Sequence, residues 1–229
     1  MKTIGLIGGL TWLSTAEYYR LLNTMVQEQR GGSHSAKIIL HSVDFEEIKN
    51  LTFADDWAGI SQVICGIAKQ LQTAGADCLL IGANTMHRIA PEVQAAVQIP
   101  VLHIAAATAK TIRAQGFKKV ALLGTRYTME LGFYQEKLAE AGITTIIPED
   151  DDRQYVHDAI YQEMGKNVFL SSTRDQFIRI IEKLAAAGAE GVILGCTEIP
   201  LLLQQKDSPL PVFDTTAIHA NAGVAFALS

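Results

Sequence analysis

LQTAGADCLLIGANT (residues 71–85) lies over LAAAGAEGVILGCTE (residues 184–198) with five identities in fifteen and several conservative pairs. Each copy reads as a helix end, a glycine stop, a short apolar strand and a small polar turn. KTIGLIGG (2–9) likewise lies over KKVALLGT (118–125), which places Tyr18 on Tyr134, and a Pro-Val pair follows each later segment, at Pro100 and Pro211. Any two strand–turn–helix units look somewhat alike. Two co-ordered matches at offsets of 113 and 116 residues argue instead for a duplicated half. The expected fold is therefore two similar α/β domains with mostly parallel sheets, related by a pseudo-two-fold and facing each other across a cleft. Residues 1–100 plus 211–229 are expected to form the first domain and 101–210 the second.

The rest of the chain fits that frame. Strand candidates at 3–6, 37–41, 78–81, 101–104, 120–123, 144–147, 192–194 and 212–214 alternate with helical patterns at 15–30, 57–74, 88–97, 108–115, 130–141, 151–164, 171–187 and 216–228. Several strands are continuous apolar runs, as strands covered on both faces are. Gly75, Gly116, Gly142 and Gly188 follow periodic segments as helix stops.

Composition excludes several classes. The 229 residues are 48% hydrophobic, with 19 Lys+Arg against 24 Asp+Glu and a net charge of −5. Such a chain is not disordered, and without a basic stripe it is not expected to bind nucleic acid. Its apolar stretches fall far short of the roughly 20 residues a bilayer requires, so no membrane span is expected. MKTIGLIGGLTW reads as a buried strand entering a glycine turn rather than a signal peptide. Cys65, Cys78 and Cys196 form no CxxC pair, which points to a reduced, cytoplasmic protein.

In open α/β sheets, ligands sit beyond the carboxyl ends of the strands. Four such ends carry glycine with small polar residues: Gly8-Gly9-Leu10-Thr11, Gly82-Ala83-Asn84-Thr85, Gly124-Thr125-Arg126-Tyr127 and Gly195-Cys196-Thr197-Glu198. Hydroxyl, amide and backbone N–H donors of this kind suit small carboxylates. GLIGGL lacks the GxGxxG order, and no GxxxxGK[ST], HExxH, GxSxG or metal-like Cys/His cluster occurs. His87 and His219 are placed either to line the cleft or to serve as satisfied core histidines. Cys196 stands out, because a thiol at a helix start has its thiolate stabilised by N-terminal N–H groups. Cys65 and Cys78 read as small apolar filler.

GLIGGLTWLST, HSVDFEEI, ANTMH, LLGTRYTM, GVILGCTEIPLL and VFDTTAIHA together resemble the aspartate/glutamate racemase family along essentially the whole chain, in particular its broad-specificity amino-acid racemases. The resemblance implies racemisation of a small amino acid or dicarboxylate with no pyridoxal phosphate, no metal and no other cofactor, commonly in a homodimer. It implies two cysteines acting from opposite faces of the α-carbon, because inversion needs delivery from the side opposite to removal. It also places Asn84, Thr85, Thr125 and Thr197 at the α-carboxylate with Thr11 nearby, and Lys166 near the distal carboxylate. Each threonine could instead cap a helix. Specificity for the distal group is expected in loop positions such as 50–56, and helix faces such as Tyr18, Tyr19 and Arg20 would permit a dimer.

The sequence departs from that pattern at one catalytic position. Where the family carries its first cysteine, or threonine in some members, this chain has Ala83, which the internal repeat aligns with Cys196. A methyl group carries no proton. Four outcomes follow: a racemase in which water or Thr85 stands in, a one-thiol carbanion enzyme such as a decarboxylase, a non-catalytic carboxylate binder, or an engineered substitution.

Overall fold

The computed structural model describes all residues, 1–229. Seven strands form, β1 (Ile4–Gly8), β2 (Ile38–Ser42), β3 (Cys78–Ile81), β4 (Lys119–Gly124), β5 (Thr144–Ile146), β6 (Gly191–Gly195) and β7 (Val212–Asp214). They build two sheets, β2-β1-β3 and β5-β4-β6-β7, and every strand pair is parallel. The α-helices are α1 (Trp12–Arg30), α2 (Phe45–Phe53), α3 (Trp57–Thr73), α4 (Ala90–Ala96), α5 (Ile104–Ala114), α6 (Arg126–Glu130), α7 (Phe133–Glu140), α8 (Asp150–Gln162), α9 (Ser171–Ala186), α10 (Ile199–Leu202) and α11 (Thr215–Leu228).

The chain divides into two compact units, residues 1–104 with 219–229 and residues 105–218. The return to the first unit thus falls later than position 211. Its cause is hydrogen bonding, since β7 adds to β6 with Val192 opposite Val212 and Leu194 opposite Asp214. Residues 211–218 therefore belong with the second sheet, and the chain re-enters the first unit within α11.

In the first unit the two faces of each strand explain its uninterrupted apolar sequence. Ile4, Leu6, Cys78 and Leu80 pack with Tyr18, Leu22 and Val26 of α1 and Ala220, Val224 and Ala227 of α11. Ile7, Leu79 and Ile81 point the other way, onto Ile60, Ile64, Ile67 and Leu71 of α3 and Val93 of α4. This is the period-two alternation of a strand with helices on both sides. The two other cysteines serve this packing. Cys78 is fully buried, its thiol pushed up to about 12 chiefly by burial, and Cys65 is half-buried against the α3 face.

Several boundaries differ from the sequence reading. The four expected glycine stops all adopt positive φ. Residues 101–104 give only an isolated bridge, Leu79 to Val101, because Ile104 already opens α5. The pattern over 130–141 breaks at Gly132, whose φ of 79° ends one helix and starts the next. Positions 50–53, expected in a loop, close α2. Tyr18 has no exposed surface and cannot serve an interface, whereas Tyr19 is 58% exposed.

Candidate functional site

In the first unit, β1 ends in Gly8-Gly9 and β3 in Ile81-Gly82, and the two carboxyl ends are tied together. Gly9 has a φ of 77°, and a Cβ there would lie 2.2 Å from the Val43 carbonyl oxygen. Only glycine allows that approach. The Gly9 N–H donates to Thr15 Oγ1 at 2.7 Å, and Thr15 Oγ1 donates to the Thr11 carbonyl at 3.0 Å. Thr11 caps α1, its Oγ1 accepting from Ser14 N–H at 3.2 Å. Ser14 Oγ then donates to the Gly82 carbonyl at 2.8 Å, linking the α1 start to the turn after β3. Ala83, Asn84 and Thr85 follow. Asn84 and Thr85 are buried and Ala83 is half-buried, packed against the α3–α4 core.

Asn84 and Thr85 lead into a 3-10 helix, Thr85–Ile89, closed by a hydrogen bond from His87 N–H to the Asn84 carbonyl at 3.0 Å. His87 and His219 are both fully buried. Burial lowers the His87 imidazole well below its ordinary value, helped by the neighbouring His103 and His219. Burial likewise lowers His219 to about 4. Both are neutral core histidines at neutral pH.

The second unit carries the thiol. Thr125, after β4, caps α6, its Oγ1 accepting from Thr128 N–H at 3.3 Å and lying 3.2 Å from Thr128 Oγ1. β4 and β6 approach so closely that a Cβ on Gly124 would sit 2.8 Å from the Gly195 carbonyl. Cys196 leaves β6 with 8% of its surface exposed and donates its S–H to Glu198 Oε2 at 3.0 Å. Thr197 Oγ1 donates to the same oxygen at 2.8 Å. Burial pushes the Cys196 thiol well above its ordinary value, and the Glu198 carboxylate pushes it further. The N–H groups of Glu198 and Thr197 favour the thiolate but are outweighed. The expected helix-start stabilisation therefore does not prevail. α10 has only four residues, and a carboxylate sits where a donor was expected.

Glu198, named in the sequence only as part of the Gly195–Glu198 strand end, takes a role that depends on side-chain geometry, and two further residues of this region escaped the sequence reading. Thr216 is buried with its hydroxyl unpartnered, two residues beyond the Asp214 that pairs with Leu194. Tyr161 of α8 is raised above its ordinary range, first by burial and next by Cys196, which places its hydroxyl in the field of the thiol. Lys166 is exposed, in a 3-10 turn (Met164–Lys166) closed by Asn167 at φ 62°, and forms no ion pair. Ala83, Asn84, Thr85 and Thr11 thus gather in the first unit, and Thr125, Cys196 and Thr197 in the second, where Lys166 stands on the surface.

Comparison with known proteins gives a consistent result. Residues 7–223 match the family model described as Asp/Glu/Hydantoin racemase. The broad specificity amino-acid racemase RacX of Bacillus subtilis is 26% identical over 230 aligned positions, covering 97% of this chain and 96% of RacX. A solved structure from Yersinia pestis, provisionally described as an Asp/Glu racemase, is 50% identical with a TM-score of 0.93, and 100% of each chain is covered. An aspartate racemase homologue from Pyrococcus horikoshii OT3 is 33% identical with a TM-score of 0.85, again over 100% of both chains.

Proposed function

The chain belongs to the Asp/Glu/hydantoin racemase family, and on that premise we propose that it is an amino-acid racemase that moves the α-proton of its substrate without a cofactor. The observation that carries this reading is the buried Cys196 thiol held on Glu198 at the end of a central strand. The thiol proton passes to Glu198 Oε2, and the thiolate so formed takes the α-proton. The electron pair moves into the substrate carboxylate, which gains enolate character. Asn84, Thr85, Thr125 and Thr197 are assigned to donate hydrogen bonds to that carboxylate, Thr11 lies nearby, and Lys166 is assigned to a distal carboxylate. Such donors stabilise the enolate only if they are in place before the charge develops.

Ala83 is the position of the missing acid/base for the second face. Return of a proton from that face then falls to water or to Thr85, so loss and return through Cys196 outpace inversion. Incubation of each enantiomer of aspartate, glutamate and related amino acids in D₂O, followed by NMR, tests this. Exchange of the α-proton faster than inversion, abolished in Cys196→Ala, is expected. Absence of exchange with every amino acid rejects the racemase, and binding without exchange leaves a carboxylate-binding protein.

Ala83 also favours a second reading, a one-thiol decarboxylase. A malonate-type substrate would break its Cα–CO₂ bond, leave the electron pair as an enolate and take the Cys196 proton on one face. The thiolate would be reprotonated from solvent through Glu198. Carbon dioxide release that persists in Cys196→Ala defeats this role. We read the protein as a cytoplasmic homodimer, which light scattering of the purified chain tests for assembly.

A further inference from the structure

Three histidines far apart in sequence meet inside the first unit. The His87 ring lies 4.6 Å from that of His103 and 5.3 Å from that of His219, and His219 stands edge-on to Tyr18 at 5.7 Å. Their hydrogen bonds fix one protonation state. His219 Nε2 lies 2.6 Å from the Leu102 carbonyl, which only accepts, so Nε2 carries the hydrogen. In the neutral ring Nδ1 is then an acceptor, and the Tyr18 hydroxyl at 2.7 Å donates to it. Neither ring nitrogen of His87 makes a hydrogen bond.

We propose that Tyr18, His87, His103 and His219 form an acid-released latch, which holds the turn bearing Asn84 and Thr85 in place only while His87 and His219 are neutral. The rings join α1, the 3-10 helix, the 101–104 segment and α11, with sequence separations up to 201 residues. The 3-10 helix has five residues and no side-chain cap; Met86 and Ile89 anchor one side of it in the α3–α4 core, and His87 anchors the other side against the rings. A proton on His219 Nδ1 turns an acceptor into a donor and reverses the Tyr18 bond. A proton on His87 sets a buried charge against two other imidazoles, with the Ile81 carbonyl beside it as an acceptor.

The groups facing His87 and His219 are each other, His103, the Tyr18 hydroxyl and the backbone carbonyls of Ile81 and Leu102. The sign follows. Both histidines have folded-state values below the unfolded value of about 6.5, so their contribution is complete above that pH. It is lost as pH falls from there towards the His219 value of about 4. The effect on substrate binding rests on the reading of Asn84 and Thr85 as carboxylate ligands; the latch itself does not.

Hydrogen–deuterium exchange of the whole protein at about pH 7.5 and pH 5, corrected for intrinsic rates, tests it. Protection of residues 83–90 and 215–224 is expected to fall about tenfold at the lower pH while β4 and β6 keep theirs. In the double variant His87→Phe with His219→Gln, whose side chains do not titrate, that pH response should vanish. An unchanged response in the variant, or none in the wild type, overturns the latch. Should the variant not fold, NMR titration of the wild-type ring protons decides: His87 or His219 titrating near 6.5 overturns it, and silence down to about pH 5 supports it. Exchange behaving as expected with no racemisation detected would count against the racemase and not the latch.

Discussion

Cys196 Sγ and Glu198 Oε2 stand 3.0 Å apart, with the thiol proton between them. The sulfur therefore rests as a thiol beside its own proton acceptor. A preformed thiolate would be destabilised twice here, by burial and by the adjacent carboxylate. Transfer to Glu198 removes the second of these, because the carboxyl becomes neutral as the sulfur becomes charged, while the cost of burial remains.

Replacement of Glu198 by Gln should separate the two effects. The amide keeps the size and removes the charge, so the thiol value falls yet stays above ordinary because burial persists. The midpoint of thiolate absorbance, taken as a difference from Cys196→Ala, should move down. Turnover should nevertheless fall by about 10²-fold, since no acceptor remains for the thiol proton. An unmoved midpoint would show that the carboxylate does not control the sulfur.

This coupling marks the limit of what the sequence discloses. The buried strands, the glycine stops and the strand-end clusters are local patterns, and the repeat made both halves legible. The break at Gly132 was hidden because the apolar spacing continues on either side of it. The return at 219 rather than 211 depended on which sheet β7 would join, a pairing that no local pattern specifies. The Cys196 thiol was misjudged for a similar reason: position along the chain suggested a helix start, whereas burial and the rotamer of Glu198 decide its proton. His103 carries no signal in the sequence, and His87 and His219 stand open between cleft and core, until the fold brings the three rings together.

Ala83→Cys tests the missing second face. Ala83 is half-buried on the α3–α4 core, so one added sulfur should change stability by less than about 1 kcal/mol. If the position faces substrate, a second thiol should raise the inversion rate by about 10²- to 10⁴-fold. Exchange through Cys196 should change far less. Polarimetry beside D₂O exchange reads both, and an unaltered ratio of inversion to exchange would remove position 83 from the reaction.

Gly9→Ala should be among the most damaging single-methyl changes in the first unit. Positive φ and contacts of 2.2 and 2.3 Å with the Val43 backbone act together, at about 3 kcal/mol or more. Gly31→Ala is the control, with a φ of 72° and no atom within 4 Å. Strain alone there should cost about 1 kcal/mol. Urea unfolding of the two variants measures the difference, and equal losses would show that the Val43 contact yields.

Tyr18 and Tyr134 occupy matching places in the repeat, and both are fully buried, but their hydroxyls meet different partners. Tyr18 donates to His219 Nδ1 at 2.7 Å, whereas Tyr134 donates to Thr108 Oγ1 at a longer 3.3 Å. Tyr18→Phe strips a donor from a buried imidazole nitrogen, which should cost about 1–3 kcal/mol. Tyr134→Phe removes a weaker bond from a threonine whose hydroxyl can reorient, at about 0.5–1 kcal/mol. Protonation of His219 would turn that bond round, the Tyr18 hydroxyl then accepting from Nδ1–H, so Tyr18→Phe removes the partner in either protonation state. The Tyr18→Phe deficit should therefore exceed that of Tyr134→Phe at neutral pH and in acid alike. Chemical denaturation of both variants across that range, measured against wild type, reads the contrast. Equal deficits for the two would mean that the shorter Tyr18 bond contributes no more than the Tyr134 one.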